Sequence, residues 1–383
     1  MRDFLDSPDY KKLKDTLNYL VQLGVNAIEL MPVNEFEGNN SWGYNPSYHL
    51  ALDKYYGTPI FFKSFIDECH KHGIAVILDI VLNHAFSQSP LCRLFWDEVN
   101  SRPAADNPWL NQVAKHDFNV GYDFNHESKY TRDFAKKVMT YWLNEYKIDG
   151  FRFDLSKGFT QKNTLGNTSA WGVYDASRIA IWQDYADHLR KINPDVYIIL
   201  EHFADNQEEV ELAKRGMLLW GNMNYQFNEA TMGYASNLSG LDYKKRNFQY
   251  PAIIQYMESH DEERLMVRNA LYGNRTNDYD TRKLITSLQR MEMAFTLFTL
   301  SPGPKMIWQF GEIGYDYSIN TCEDGSVNNN CRLSPKPVPW SFLNQQGRKR
   351  LYNLVSSLNH LRSSYQVFKD IPFSYDLSSF LKF

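Results

Sequence analysis

The sequence has little cysteine, no long apolar run and no excess of either charge, and each shortage excludes something. Four cysteines occur in 383 residues, Cys69, Cys92, Cys322 and Cys331, and no CxxC pair is among them. That set does not resemble a zinc site. Cys322 and Cys331 flank a polar stretch, CEDGSVNNNC, and either close a disulfide or stand as two thiols. No uninterrupted apolar run approaches the roughly 20 residues that a transmembrane helix needs. The opening MRDFLDSPDY has no apolar core of a signal peptide, which leaves the parent protein's compartment open between secreted, periplasmic and cytoplasmic. Lys plus Arg number 41 against 45 Asp plus Glu, so there is no basic footprint for nucleic acid and no polybasic membrane patch. Low-complexity segments and short tandem repeats are absent as well.

What the chain does have is aromatic residues, with 9 Trp, 25 Tyr and 24 Phe, and a hydrophobic share of 43%. The length fits one large domain or two smaller ones, and the apolar share is enough for a sizeable core. Aromatic rings fill cores, and they also stack on the C–H faces of sugars.

Short β-branched or apolar runs alternate with longer helical patterns. Residues 10–23 read as one helix with Leu13, Leu17, Leu20 and Val21 on one face and Gly24 as its cap. Further helices are expected over 61–72 and 131–146. The strand candidates are NAIELMPV (26–33), AVILDIVL (75–82), GFRFDL (150–155), VYIIL (196–200), MLLWG (217–221), IIQYM (253–257) and KMIWQF (305–310). Strand and helix alternating at this scale predict parallel strands and a (β/α)₈ TIM-type barrel. Only Met1–Phe4 precede the first turn signals, so the chain is expected to lack most of the first strand. Residues 85–127, rich in Asn, Asp, Pro and aromatics, read as a short excursion after the third strand of the full barrel. On this reading 1–368 form the catalytic barrel and 369–383 begin a C-terminal β domain that is cut short.

Polar residues interrupt the strands near their C-terminal ends, where barrels of this kind place catalytic groups. They are Asp79, Asn83 and His84; Arg152 and Asp154; Glu201 and His202; and Glu258, His260 and Asp261. Strand side chains alternate faces, so Gly150, Arg152 and Asp154 share one face, while Phe151, Phe153 and Leu155 share the other as core. Three carboxylates, Asp154, Glu201 and Asp261, are thereby expected to converge on one mouth beside Arg152. Such crowding costs energy through like-charge repulsion and desolvation. It suits a reaction that develops positive charge, as glycoside hydrolysis does in its oxocarbenium-like transition state. Structural ion pairs at strand ends are the competing account, and four such motifs in order on one rim outweigh it.

These stretches resemble the α-amylase family of glycoside hydrolases. DIVLNH (79–84), GFRFDLSKG (150–158), EHF (201–203) and ESHDE (258–262) look like the family's four characteristic regions. WGYNP (42–46) and GYDFNHE (121–127) look like two of its additional motifs. The resemblance implies a retaining double displacement on an α-glucan, with Asp154 as nucleophile, Glu201 as general acid/base and Asp261 gripping sugar hydroxyls. Tyr44, Asp79, His84, Arg152, Lys157 and His260 match residues that line the sugar site, His84 and His260 donating hydrogen bonds. No cofactor is implied for the chemistry. A structural Ca²⁺ would draw on Asn83 and Asp123, although Lys157-Gly158 stands where calcium-binding members often carry Lys-His. The leading reading is hydrolysis of α-1,4 bonds in starch, glycogen or maltodextrins. The alternatives are an α-1,6-active debranching or branching enzyme, and a non-catalytic α-glucan-binding protein.

Overall fold

The computed structural model describes residues 1–38, 40–368 and 376–377. All seven strand candidates form strands, in the expected order: β1 (Ala27–Leu30), β2 (Ala75–Ile80), β3 (Gly150–Phe153), β4 (Tyr197–Leu200), β5 (Leu218–Asn222), β6 (Ile253–Tyr256) and β7 (Lys305–Met306). They make a parallel sheet whose spatial order is their sequence order. Helices over Pro59–Lys71, Lys129–Tyr141, Ala176–Ile192, Asn206–Lys214, Asn224–Met232 and Leu284–Leu300 return the chain between successive strands. This is the connectivity of a (β/α)₈ barrel that lacks its first strand, and Met1–Phe4 contribute no strand. The expected C-terminal β segment falls on 369–383, which apart from 376–377 lies outside the described residues.

The chain comprises two compact units. The first holds Met1–Thr16 and Asn26–Leu219, and the second holds Leu17–Val25 and Trp220–Phe383. In the first, Ile77, Asp79, Gly150 and Arg152 stand side by side, because Ile77 pairs with Gly150 and Asp79 with Arg152. Gly150 is required by a close approach, since a Cβ there would lie 2.4 Å from the Tyr197 carbonyl oxygen. Opposite that face, Phe151 and Phe153 are fully buried, with Phe153 4.9 Å edge-on to Trp182 of the helix Ala176–Ile192. The aromatic positions of the strand therefore anchor it to the helical layer, and the charged positions are left to the barrel interior.

Two expectations about local structure need correction. The single helix over 10–23 is two, Tyr10–Asp15 and Leu17–Leu23. Thr16 intervenes: its hydroxyl and its N–H both bond the Lys12 carbonyl, at 2.8 and 3.0 Å, a back-bonding that bends helices. Leu155 is not core. The strand ends at Phe153, and Leu155 adopts a left-handed φ of 44° and is half-buried. The excursion is also less irregular than its composition suggests. His84–Ala85 pairs with Tyr122–Asp123, Trp96–Asp97 pairs with Arg102–Pro103, and Ala85, Cys92, Leu110 and Phe124 form a core of its own.

Candidate active site

Arg152 organises the first unit's polar face. It is fully buried, a position a guanidinium holds only when its donors are paired. Its Nη1 donates to both oxygens of Asp79 at 2.8 Å and to Asp154 Oδ1 at 3.1 Å. Its Nη2 lies 2.9 Å from Glu201 Oε2. One guanidinium thus holds the side chains of three strand ends, β2, β3 and β4. Burial alone would lower the Arg152 pKa, but Asp79 and Glu201 raise it well above its ordinary value. Asp154 and Glu201 each keep 15% of their side-chain surface, so both remain accessible, whereas Asp79 is buried.

The left-handed turn at Leu155 serves Glu201. It points the Leu155 N–H at Glu201 Oε2, 2.8 Å away. Non-glycine residues take this conformation only where their surroundings impose it. Here Ser156 donates from its N–H and its hydroxyl to the Glu201 carbonyl at 2.9 and 2.7 Å, and Trp182 Nε1 donates to the Ser156 carbonyl at 3.1 Å. Beneath this turn lies a buried network. His202 Nδ1 is 2.9 Å from Ser156 Oγ, and its Nε2 donates to Glu208 Oε1 at 2.7 Å. Arg178 binds the same carboxylate through two nitrogens at 2.6 and 2.7 Å. Burial by itself would raise the Glu208 carboxyl, but His202 and Arg178 hold it down at about 2.

The candidate sugar-site residues divide between the units. Tyr44 donates to Asp79 Oδ2 at 2.5 Å, and burial followed by the Asp79 charge pushes its phenol well above the ordinary value. His84 Nε2 donates to the Tyr44 carbonyl at 2.9 Å. Burial lowers the His84 imidazole to about 4, so it is neutral and its buried Nδ1 is an acceptor. In this structure the ring's one proton is directed at a backbone carbonyl. Lys157 Nζ donates to the Phe203 carbonyl at 3.1 Å and lies 4.1 Å from the Trp171 ring centroid; burial lowers its pKa. His260 and Asp261 belong to the second unit. There His260 is buried, with its Nε2 3.4 Å from Asp261 Oδ2, and Asp261 Oδ1 accepts from Arg332 at 2.7 Å. Glu258 is structural: it pairs with Arg264 at 3.0 Å and caps the following helix through the Leu265 N–H at 2.7 Å.

Asn83 and Asp123, the expected calcium ligands, lie on adjacent segments, because the Phe124 N–H bonds the Asn83 carbonyl at 3.0 Å. Asn83 Oδ1 and Asp123 Oδ1 are buried and lack a hydrogen-bond partner, and so does His116 Nε2, 3.5 Å from Asp123 Oδ1. His116 donates from Nδ1 to the Asp117 carbonyl at 2.8 Å and stacks on Trp171. A Cβ on Gly158 would lie 1.8 Å from Asn83 Oδ1 and 2.7 Å from His116 Nε2, so a side chain at 158 would force those side chains to shift. Of the 6–8 oxygens that calcium takes, backbone carbonyls and waters included, these side chains would supply two. Among the described residues no group of three or more His, Cys, Asp or Glu could hold a metal ion.

Sequence reasoning missed Glu29, His116 and Arg332. Glu29 is the one charge in β1, half-buried, and burial together with the Asp79 charge raises its carboxyl to about 8. Its signal was a lone acid inside an apolar run. His116 and Arg332 gave no local signal, because their partners are brought to them by the fold.

Residues 6–118 and 104–338 match the model of the α-amylase catalytic domain. The malto-oligosyltrehalose trehalohydrolase of Saccharolobus solfataricus is 27% identical over 319 residues, 78% of this chain and 53% of that protein. The 1,4-alpha-glucan branching enzyme of Desulfitobacterium hafniense is 25% identical over 366 residues, 90% of this chain and 52% of that protein. The chain thus spans about half the length of these relatives. The crystal structure of an Anoxybacillus α-amylase superposes with a TM-score of 0.72 at 19% identity, covering 96% of this chain and 74% of that one. Among the described residues no helix is long and apolar enough to cross a membrane.

Proposed function

The chain belongs to the α-amylase family, and on that premise we propose that it is a retaining glycoside hydrolase cleaving α-1,4-glucosidic bonds in starch, glycogen or maltodextrins. The observation that carries this reading is the single guanidinium of Arg152 shared by Asp79, Asp154 and Glu201. Three carboxylates around one cation leave an excess of negative charge, which favours keeping one of them protonated and ready to donate.

In the proposed reaction an Asp154 carboxylate oxygen attacks the anomeric carbon. The bond to the leaving oxygen breaks as Glu201 gives that oxygen its proton. Water then attacks the same carbon, Glu201 takes the water's proton, and the bond to Asp154 breaks. Arg152 keeps Asp154 ionised and oriented. On Glu201 it is Oε2 that accepts from Leu155 N and faces Arg152, so the proton to be donated is carried on Oε1. Asp261 grips hydroxyls of the distorted sugar, and Tyr44, His84 and His260 shape its site. No step requires a metal or other cofactor.

A second reading, an α-1,6-active debranching or branching enzyme, draws on Gly158. The loop after the candidate nucleophile presents no side chain at that position, where many α-1,4 hydrolases of the family carry one. Digestion of amylose and pullulan separately, with identification of products, decides between them. Reducing ends from amylose are the expected result. Maltotriose from pullulan with amylose untouched would overturn the α-1,4 reading, and a gain in branch points without reducing ends would replace hydrolysis by transfer.

A further inference from the structure

The loop between Cys322 and Cys331 has no part in the chemistry described above. The two cysteines, nine positions apart, are joined by a disulfide. That settles the alternative the sequence left open. The loop between them is exposed, yet it is tied down at its base. Glu263 accepts from Ser318 Oγ at 2.6 Å and from the Ile319 N–H at 3.0 Å. Lys336 Nζ donates to the carbonyls of Thr321 and Cys331 at 2.9 and 2.6 Å. The Asn328 N–H bonds the Asn320 carbonyl at 2.9 Å, which closes the loop on itself.

The residue that follows the second cysteine is Arg332. Its Nη2 donates to Asp261 Oδ1 at 2.7 Å and to the Asp261 carbonyl at 3.1 Å. His260 Nε2 faces the other carboxylate oxygen at 3.4 Å. The Asp261 carboxylate is therefore bracketed, one oxygen by Arg332 and the other by His260. Arg332 and Asp261 keep 41% and 44% of their side-chain surface. An ion pair that exposed contributes little when both side chains must be ordered for it alone. Here much of that ordering is done beforehand: the disulfide, Lys336 and Glu263 fix the backbone that carries Arg332, and Glu263 sits two residues from Asp261.

We infer that Arg332 is a positioning residue for Asp261, and that the Cys322–Cys331 disulfide is what keeps Arg332 in place. This rests on the reading that Asp261 grips sugar hydroxyls. A carboxylate that is to accept two hydroxyls of a distorted ring must stay ionised and in one orientation. A guanidinium touching both its side chain and its own backbone carbonyl enforces both conditions, and an ammonium, which lacks the planar fork, does so less well.

The test uses binding of maltoheptaose, measured by calorimetry in an Asp154→Asn background so that nothing is turned over. Arg332→Met is expected to weaken binding about tenfold and Arg332→Lys about threefold, the conservative change rescuing part of the loss. The double change Cys322→Ser/Cys331→Ser is expected to weaken binding about threefold when Arg332 is present and to add nothing when position 332 is Met. With Asp154 restored, Arg332→Met should lower kcat more than it raises KM. Binding by Arg332→Met equal to that of the parent would overturn the inference. So would an equal loss on removing the disulfide whatever stands at 332, because the disulfide would then act on the fold at large. Absence of maltoheptaose binding in every form, the parent included, would instead sink the glucan reading and this inference with it.

Discussion

Gly158 and Asn83 are in such close contact that a methyl group on the glycine would lie 1.8 Å from the amide oxygen. Any larger residue at 158 must therefore displace the Asn83 side chain. Gly158→Ala is expected to destabilise the protein by about 1–3 kcal/mol, as overpacking does. Asn83→Ala should recover part of that loss when combined with it. Denaturant unfolding of the two single variants and the double variant measures both effects, and strict additivity would show that the contact is not what position 158 feels.

Asp154→Asn should lower turnover of amylose at least about a thousandfold while leaving the circular dichroism spectrum and melting temperature close to those of the parent. The amide keeps the side chain's size and its contact to Arg152 but cannot form the bond to the anomeric carbon. Undiminished turnover would remove Asp154 from the mechanism.

Glu29 ties stability to pH. Its carboxyl is raised from 4.5 to about 8 in the folded chain. Between those values the unfolded chain releases the proton and the folded chain retains it, so this group's contribution is present below pH 4.5 and is lost as pH rises towards 8. Since Glu29 is only half-buried, the loss is discounted to roughly 1–3 kcal/mol. Glu29→Gln should flatten this part of the stability profile, and unfolding curves across that range that are parallel for both proteins would contradict the assignment.

Glu208 works in the opposite sense. Its carboxyl is held down at about 2, so its contribution is present above the ordinary 4.5 and is lost as pH falls through 2. Glu208→Gln leaves Arg178 buried without its counter-charge and should cost roughly 3–5 kcal/mol at neutral pH. Because the network supports the turn at Leu155, kcat on amylose should fall as well, although Glu208 is not placed among the reacting groups. A stable variant with normal kcat would separate the network from the site.

The three unpartnered atoms of Asn83, His116 and Asp123 bear on calcium. A chelator is expected to leave the melting temperature unchanged, since the side chains here supply only two oxygens to that ion. A fall on chelation, reversed by added Ca²⁺, would show that carbonyls or waters complete a shell around the two oxygens.

The strands were legible because β-branched runs separated by helical patterns leave few alternatives. The inward placement of Arg152 followed from parity alone. Parity failed two residues beyond the strand, at Leu155, where the φ of 44° redirects the chain. Nothing in a local window signals that turn, because Glu201, 46 residues away, supplies its partner. The same holds for Arg332 and Asp261, 71 residues apart. Thr16 is a milder case: the apolar face runs through it, and the break coincides with the hydroxyl's added bond to the Lys12 carbonyl. Hydrophobic pattern thus specified where the chain lies in the sheet, while the polar contacts that finish the site depend on residues distant in sequence.

The excursion between β2 and the helix Lys129–Tyr141 buries its own apolar centre around Ala85, Cys92, Leu110 and Phe124. Its exposed tip at Val99 is expected to tolerate insertions, as surface loops do, because the apolar centre lies elsewhere in the segment. On the proposed reading, such a module would let the walls of a cleft change while the strand ends keep the reacting groups.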